Sequence, residues 1–184
     1  MIVLSHYYPI LGISEIGSFW MLGCIAFLGV ALFLFLSGYG AMYSKIHKPN
    51  YLNGYLRKKV FRLYIPFIFV FLLDIILLFI TGQEITWIDF AKIPIMSLPG
   101  TPNWYLKVQM CLYLLFFVLS KTIKNNKKLI ISLFLLCTTY MIIGIFSGID
   151  YYWYEISYMF PVGMCFAVYK DIIFTQIAIS NCNS

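Results

Sequence analysis

His6 is the side chain best suited to proton transfer, because a neutral imidazole accepts a proton near neutral pH and could draw it from a substrate hydroxyl. It stands shortly before Pro9 in an apolar stretch beside Tyr7 and Tyr8, where an ionisable group is costly unless it faces a cavity or a partner. A histidine seated at the membrane interface is the alternative. A second group is cationic: Arg57, Lys58, Lys59 and Arg62 in YLRKKVFRLYIPF. On a helix Lys58 and Lys59 both adjoin Arg62, and guanidinium and ammonium groups so placed grip phosphates of a polyanionic ligand. A topology signal that also touches anionic lipid explains the same cluster. A third feature is Ser37 and Gly38 in the run SGYG, whose small residues admit a thin ligand or a neighbouring backbone, or else close a helix. Asp74 and Lys107 are charges inside apolar segments; such groups pair or line a wet cavity, and both are expected to share one with His6.

The elements that must hold these residues are transmembrane helices. The chain is 62% hydrophobic, 20% aromatic and only 11% charged, with a mean hydropathy of +0.88, whereas a soluble domain carries about 25% charged residues. Lipid offers the backbone no hydrogen-bond partner, so apolar runs of roughly 20 residues become helices. Spans are expected at Phe19–Tyr43, Leu63–Thr81, Trp104–Ser120, Leu129–Ser147 and Glu155–Tyr169. Met1–Ile10 is too short to cross a core of about 30 Å, and reads as the outer end of a helix whose start precedes Met1. The fold expected is an all-α polytopic transmembrane bundle of about six spans, the first partial. It forms one domain over residues 1–178, with a polar, irregular tail from 179.

A signal peptide does not fit the N-terminus, where no cation precedes the apolar residues and no small-residue cleavage site follows. The five cysteines lack metal or redox spacing, and no metal site is expected. No phosphate-cradling glycine loop is present, and the expected partner is the bilayer, not nucleic acid. Of 13 Lys and Arg, six lie between the second and third segments, four between the fourth and fifth, and Lys170 follows the last. Positive charge favours the cytoplasmic side, which places these three regions there.

In order along the chain, His6, FLFLSGYG, RKKVFRLYIP and NWYLKVQMCLY resemble the integral-membrane acyltransferases, acyltransferase family 3. The resemblance implies transfer of an acyl group, commonly acetyl, from cytoplasmic acyl-CoA as co-substrate, with no bound cofactor, to a hydroxyl of a cell-envelope sugar or polysaccharide. It implies an inner or plasma membrane location. On that analogy His6 is the base, and Ser37, Gly38, Arg57, Lys58, Lys59 and Arg62 receive the nucleotide phosphates. Asp74, Trp104, Tyr105, Lys107 and Gln109 belong to the substrate cavity. Lys59 and Arg62 stand where the family pattern has two arginines, and Gln109 where it has an acid. A transporter or flippase, or an inactive truncated remnant, is the alternative. The outer aromatics Trp87, Trp104, Tyr151, Tyr152 and Trp153 suit either a sugar-stacking role or an interfacial belt.

Overall fold

The structure is a computed structural model that describes residues 18–82, 86–91, 93 and 104–182; side chains are described from residue 27 onward, apart from 74, 89, 171 and 173–182. His6 and the side chain of Asp74 therefore lie outside the described residues.

Each long apolar segment closes its backbone hydrogen bonds within itself, as hydrocarbon requires. The helices are α1 (Ser18–His47), α2 (Tyr55–Ile80), the short α3 (Trp87–Ala91), α4 (Trp104–Thr122), α5 (Asn126–Phe146) and α6 (Met159–Cys182). Two 3-10 turns, Tyr151–Trp153 and Glu155–Tyr158, join α5 to α6. No strand occurs among the described residues. Among the described residues four helices are long and apolar enough to cross a membrane: α1 over Phe27–His47, α2, α4 and α5. Their outward faces carry apolar side chains, among them Leu32, Ile65, Phe69 and Leu135, which water would penalise and lipid accepts. The protein is an all-α membrane bundle.

Several boundaries differ from expectation, among them the start of the span expected from Glu155, where a 3-10 turn precedes a helix that begins at Met159. α1 runs through the SGYG segment to His47, because one glycine costs a helix only about 1 kcal/mol and Gly38 is used for packing. α2 begins at Tyr55 instead of Leu63 and takes the cationic cluster into its first turns. The tail expected to be irregular stays helical as far as Cys182.

α1 and α6 form the largest interface. A Cβ at Gly38 would collide with the Phe160 carbonyl oxygen, and one at Gly163 with the Phe35 carbonyl oxygen. The two backbones thus touch reciprocally, the use of small residues that brings helices closest in lipid. α2 packs on α4, and α5 on both α4 and α6. Asn125 caps α5, its side chain accepting from the amides of Lys127 (2.9 Å) and Lys128 (3.2 Å).

The basic connections meet at one end of the bundle. The Lys45 ammonium donates to the Asn126 side chain at 3.0 Å, tying the end of α1 to the start of α5. Lys170 of α6 lies 4.6 Å from the Tyr43 ring centroid and donates to the Tyr39 hydroxyl at 3.4 Å. The 3-10 turns cover the other end, over the start of α4.

Candidate functional site

α1 and α2 are not a closely packed pair, and the space between them, closed on one side by α4, is a cavity of about 990 Å³. Its walls repeat with helical spacing. α1 contributes Gly29, Val30, Phe33, Leu36, Ser37, Gly40 and Ser44, with Lys48 just past its end; α2 contributes Tyr55, Lys58, Lys59, Arg62, Leu63 and Pro66. α4 adds Tyr105, Leu106 and Tyr113. From Gly29 to Lys48 the cavity follows α1 for about 28 Å at 1.5 Å per residue, close to the hydrocarbon thickness of about 30 Å.

Chemistry changes along that length. At the end near the α1–α2 turn the walls carry Lys48, Lys58, Lys59 and Arg62, with no Asp or Glu among the described lining residues. The turn adds Pro49, Asn50, Tyr51 and Asn53. It is fixed by the Asn53 amide donating to the Asn50 carbonyl at 2.9 Å, and by Gly54, whose positive φ of 71° lets the chain enter α2. Burial pushes the Tyr51 phenol above its ordinary value, while Ser44 and the Arg62 charge beside it pull the other way. Tyr51 is therefore a neutral hydroxyl among cations.

Lys59 is held between two rings, 4.8 Å from the Tyr113 centroid and 5.8 Å from that of Tyr55. Such contacts give about 0.5–2 kcal/mol each, and they fix the ammonium without neutralising it. The Tyr113 hydroxyl donates to Ser37 Oγ at 3.2 Å, linking α4 to α1 at mid-cavity. Pro66 has no N–H, so the Arg62 carbonyl loses its intrahelical donor within the cavity wall. Beyond Ser37 the walls turn apolar, with Leu36, Phe33, Val30, Leu63 and Leu106.

The cavity ends beside an aromatic ledge. Tyr105 of its wall stands 6.4 Å from Trp104, which stands 5.5 Å from Tyr152 in the first 3-10 turn. The Tyr152 hydroxyl donates to the Asp150 carboxylate at 2.7 Å, a bond that raises its own pKa. Lys107 places its ammonium 5.8 Å from the Trp153 centroid, and the Tyr140 hydroxyl donates to the Trp153 carbonyl at 3.3 Å. Trp104, Tyr152 and Trp153 lie against the start of α4, while Trp87 and Tyr151 are exposed.

Of the residues singled out from sequence, Ser37, Lys58, Lys59, Arg62 and Tyr105 are brought together around the cavity. Gly38 faces α6, the packing use that the sequence left open beside ligand contact. Arg57 is outside the cavity walls, its guanidinium 5.9 Å from the Phe61 ring centroid. Trp104 and Lys107 belong to the ledge. Gln109 is wholly buried, and neither amide atom is hydrogen-bonded among the described residues. The expected pairing of Lys107 with Asp74, and the cavity they would share with His6, fall outside the described residues. Lys48, Tyr51, Tyr55 and Tyr113 are not among the residues that the sequence singles out. The signal for Lys48 is the stripe Ser37, Gly40, Ser44 on one face of α1, which Lys48 continues just past its end.

The sequence pattern of the acyltransferase domain family matches residues 1–179. The chain belongs to that family. Neither the curated proteins nor the solved structures offer a match. The acyltransferase domain thus takes in the described bundle up to residue 179, and the cavity with its cationic end is a feature of an acyltransferase family member. The apolar helices and the family together make this a membrane acyltransferase in general terms.

Proposed function

We propose that the chain transfers a small acyl group, acetyl in the simplest case, from cytoplasmic acyl-CoA to a hydroxyl of a cell-envelope sugar or polysaccharide. The observation that carries this reading is the elongated cavity, cationic at one end and leading along α1 to an aromatic ledge at the other. Lys48, Lys58, Lys59 and Arg62 hold the nucleotide phosphates, and the donor arm lies along Ser37 and Tyr113 toward Tyr105. The ledge receives the sugar, with Tyr151 exposed for stacking and the Asp150 carboxylate for its hydroxyls. The cationic end faces the cytoplasm, and the membrane is the inner or plasma membrane, in keeping with the basic connections gathered there.

His6 acts as the base. Its imidazole takes the proton of the acceptor hydroxyl as the oxygen attacks the thioester carbonyl; the carbon–sulfur bond breaks, and the imidazolium returns the proton to the departing thiolate. The product is an ester and a free thiol. Holding both reactants in one cavity supplies much of the rate by orientation.

The deciding experiment is transfer of radiolabelled acetyl from acetyl-CoA into envelope glycans by the full chain in membranes. Label is expected in the glycan fraction, and His6→Ala should lower its rate by about 100-fold or more, the usual contribution of a general base. No label in any envelope acceptor would overturn the reading in favour of transport or a remnant without activity. Equal rates for His6→Ala would remove His6 as the base.

A further inference from the structure

Gln109 is an expensive residue with no visible return among the described residues. It is fully enclosed in α4, and neither its amide nitrogen nor its amide oxygen has a hydrogen-bond partner. The Tyr113 hydroxyl is near enough to feel it, but that hydroxyl donates to Ser37 and no bond of proper geometry joins it to the amide. Leaving a donor and an acceptor both unmet in an apolar interior penalises the folded state, and leucine of similar size would avoid the penalty.

Its place on α4 shows where a partner would come from. α4 turns Tyr105, Leu106 and Tyr113 toward the cavity. At about 100° per residue, Gln109 lies about 40° from Tyr105 and about 40° from Tyr113, inside the arc those residues define. It is one turn, about 6 Å, from the level of Tyr113, where the Lys59 ammonium is held. Gln109 itself is enclosed behind the lining residues, so a ligand contact requires its side chain to turn toward the cavity.

We infer that Gln109 reads a secondary amide in the linear arm of the donor, pairing its N–H with the ligand carbonyl and its carbonyl with the ligand N–H. This rests on the donor proposed above and specifies how the cavity recognises it. A secondary amide offers one donor and one acceptor, the set that Gln109 lacks. Spacing agrees with this. In a coenzyme A thioester the amide carbonyl nearest the pyrophosphate is four bonds from the phosphate ester oxygen, about 5 Å for an extended chain at roughly 1.2 Å per bond. A phosphate at Lys59 therefore sets that amide at the level of Gln109. The residue is a specificity contact for the arm, about two helix turns short of the reacting end, since nine further bonds at roughly 1.2 Å each separate that amide carbonyl from the thioester carbon.

The test is binding of acetyl-CoA to the full chain in lipid nanodiscs, beside an analogue whose first arm amide is replaced by an ester, which keeps the carbonyl and loses the N–H. Wild type is expected to bind acetyl-CoA about tenfold more tightly than the ester. Gln109→Leu should bind both alike, with acetyl-CoA weakened about tenfold, while its thermal midpoint without ligand stays level or rises. Gln109→Met, of similar length, should repeat the pattern if the leucine variant packs poorly. Unchanged discrimination in both variants would overturn the inference, as would a lowered midpoint with discrimination intact, which marks a packing role. Wild type that binds acetyl-CoA but does not prefer the amide overturns this inference alone. Wild type that binds no acetyl-CoA overturns the donor reading and this inference with it.

Discussion

Arg62→Gln is expected to weaken binding of acetyl-CoA by about 10- to 100-fold. A hydrogen bond to a charged group contributes about 1.5–3 kcal/mol, and each 1.4 kcal/mol is about tenfold in affinity. Arg62 lines the cavity together with Lys58 and Lys59, and its side chain brings a planar fork that a lysine lacks. The internal control is Arg57→Gln, since Arg57 lies outside the cavity walls against the Phe61 ring; it should change affinity by no more than about twofold, the scale of an exposed charge. Titration calorimetry in nanodiscs at low and high salt measures both. Salt weakens wild-type binding by screening the cationic end, and the slope against salt should become shallower in Arg62→Gln. Equal losses from both substitutions would mean that the cluster acts as a diffuse positive surface and not as a shaped site.

The second large effect concerns the bundle itself. Gly38→Ala and Gly163→Ala should each greatly reduce the amount of folded protein, because each new Cβ meets a main-chain carbonyl of the facing helix, which has no rotamer to yield. Overpacking costs typically about 1–3 kcal/mol and occasionally more, against a total stability of about 5–15 kcal/mol. Gly40→Ala, two residues from Gly38, meets nothing within 4 Å. It should leave stability unchanged or raise it by up to about 1 kcal/mol, the usual gain of alanine over glycine in a helix. Size-exclusion profiles of detergent extracts, with thermal midpoints for whatever elutes as a single species, separate these outcomes. Normal midpoints for both Gly38→Ala and Gly163→Ala would show that α1 and α6 do not touch backbone to backbone.

Hydropathy located α1, α2, α4 and α5 because burial in lipid is what it measures. It misplaced their ends for the same reason. α2 starts eight residues before Leu63 since its hydrogen bonds do not stop where hydrocarbon does, and the residues from Tyr55 to Arg62 form helix turns outside the apolar run. The site was legible in part. Helical periodicity, applied strictly, keeps Lys58, Lys59 and Arg62 on one face and turns Arg57 away, as found. Tyr55 and Tyr113 were hidden among many aromatics, because what distinguishes them is a contact across helices: they flank Lys59 from two separate elements. Gly38 shows a related limit. Whether a glycine faces a ligand or another backbone depends on where the opposite helix lies, and Phe160 is far away along the chain.

Phe33 and Leu36 line the cavity and are 42% and 54% exposed. Together with Val30, Leu63 and Leu106 they make this stretch an apolar slot removed from the cations. An apolar compound held there would owe its contacts to these side chains and none to the lysines and arginine at the mouth. Its potency as a blocker would be indifferent to ionic strength, whereas a phosphate-bearing competitor would lose potency as salt screens the cationic end.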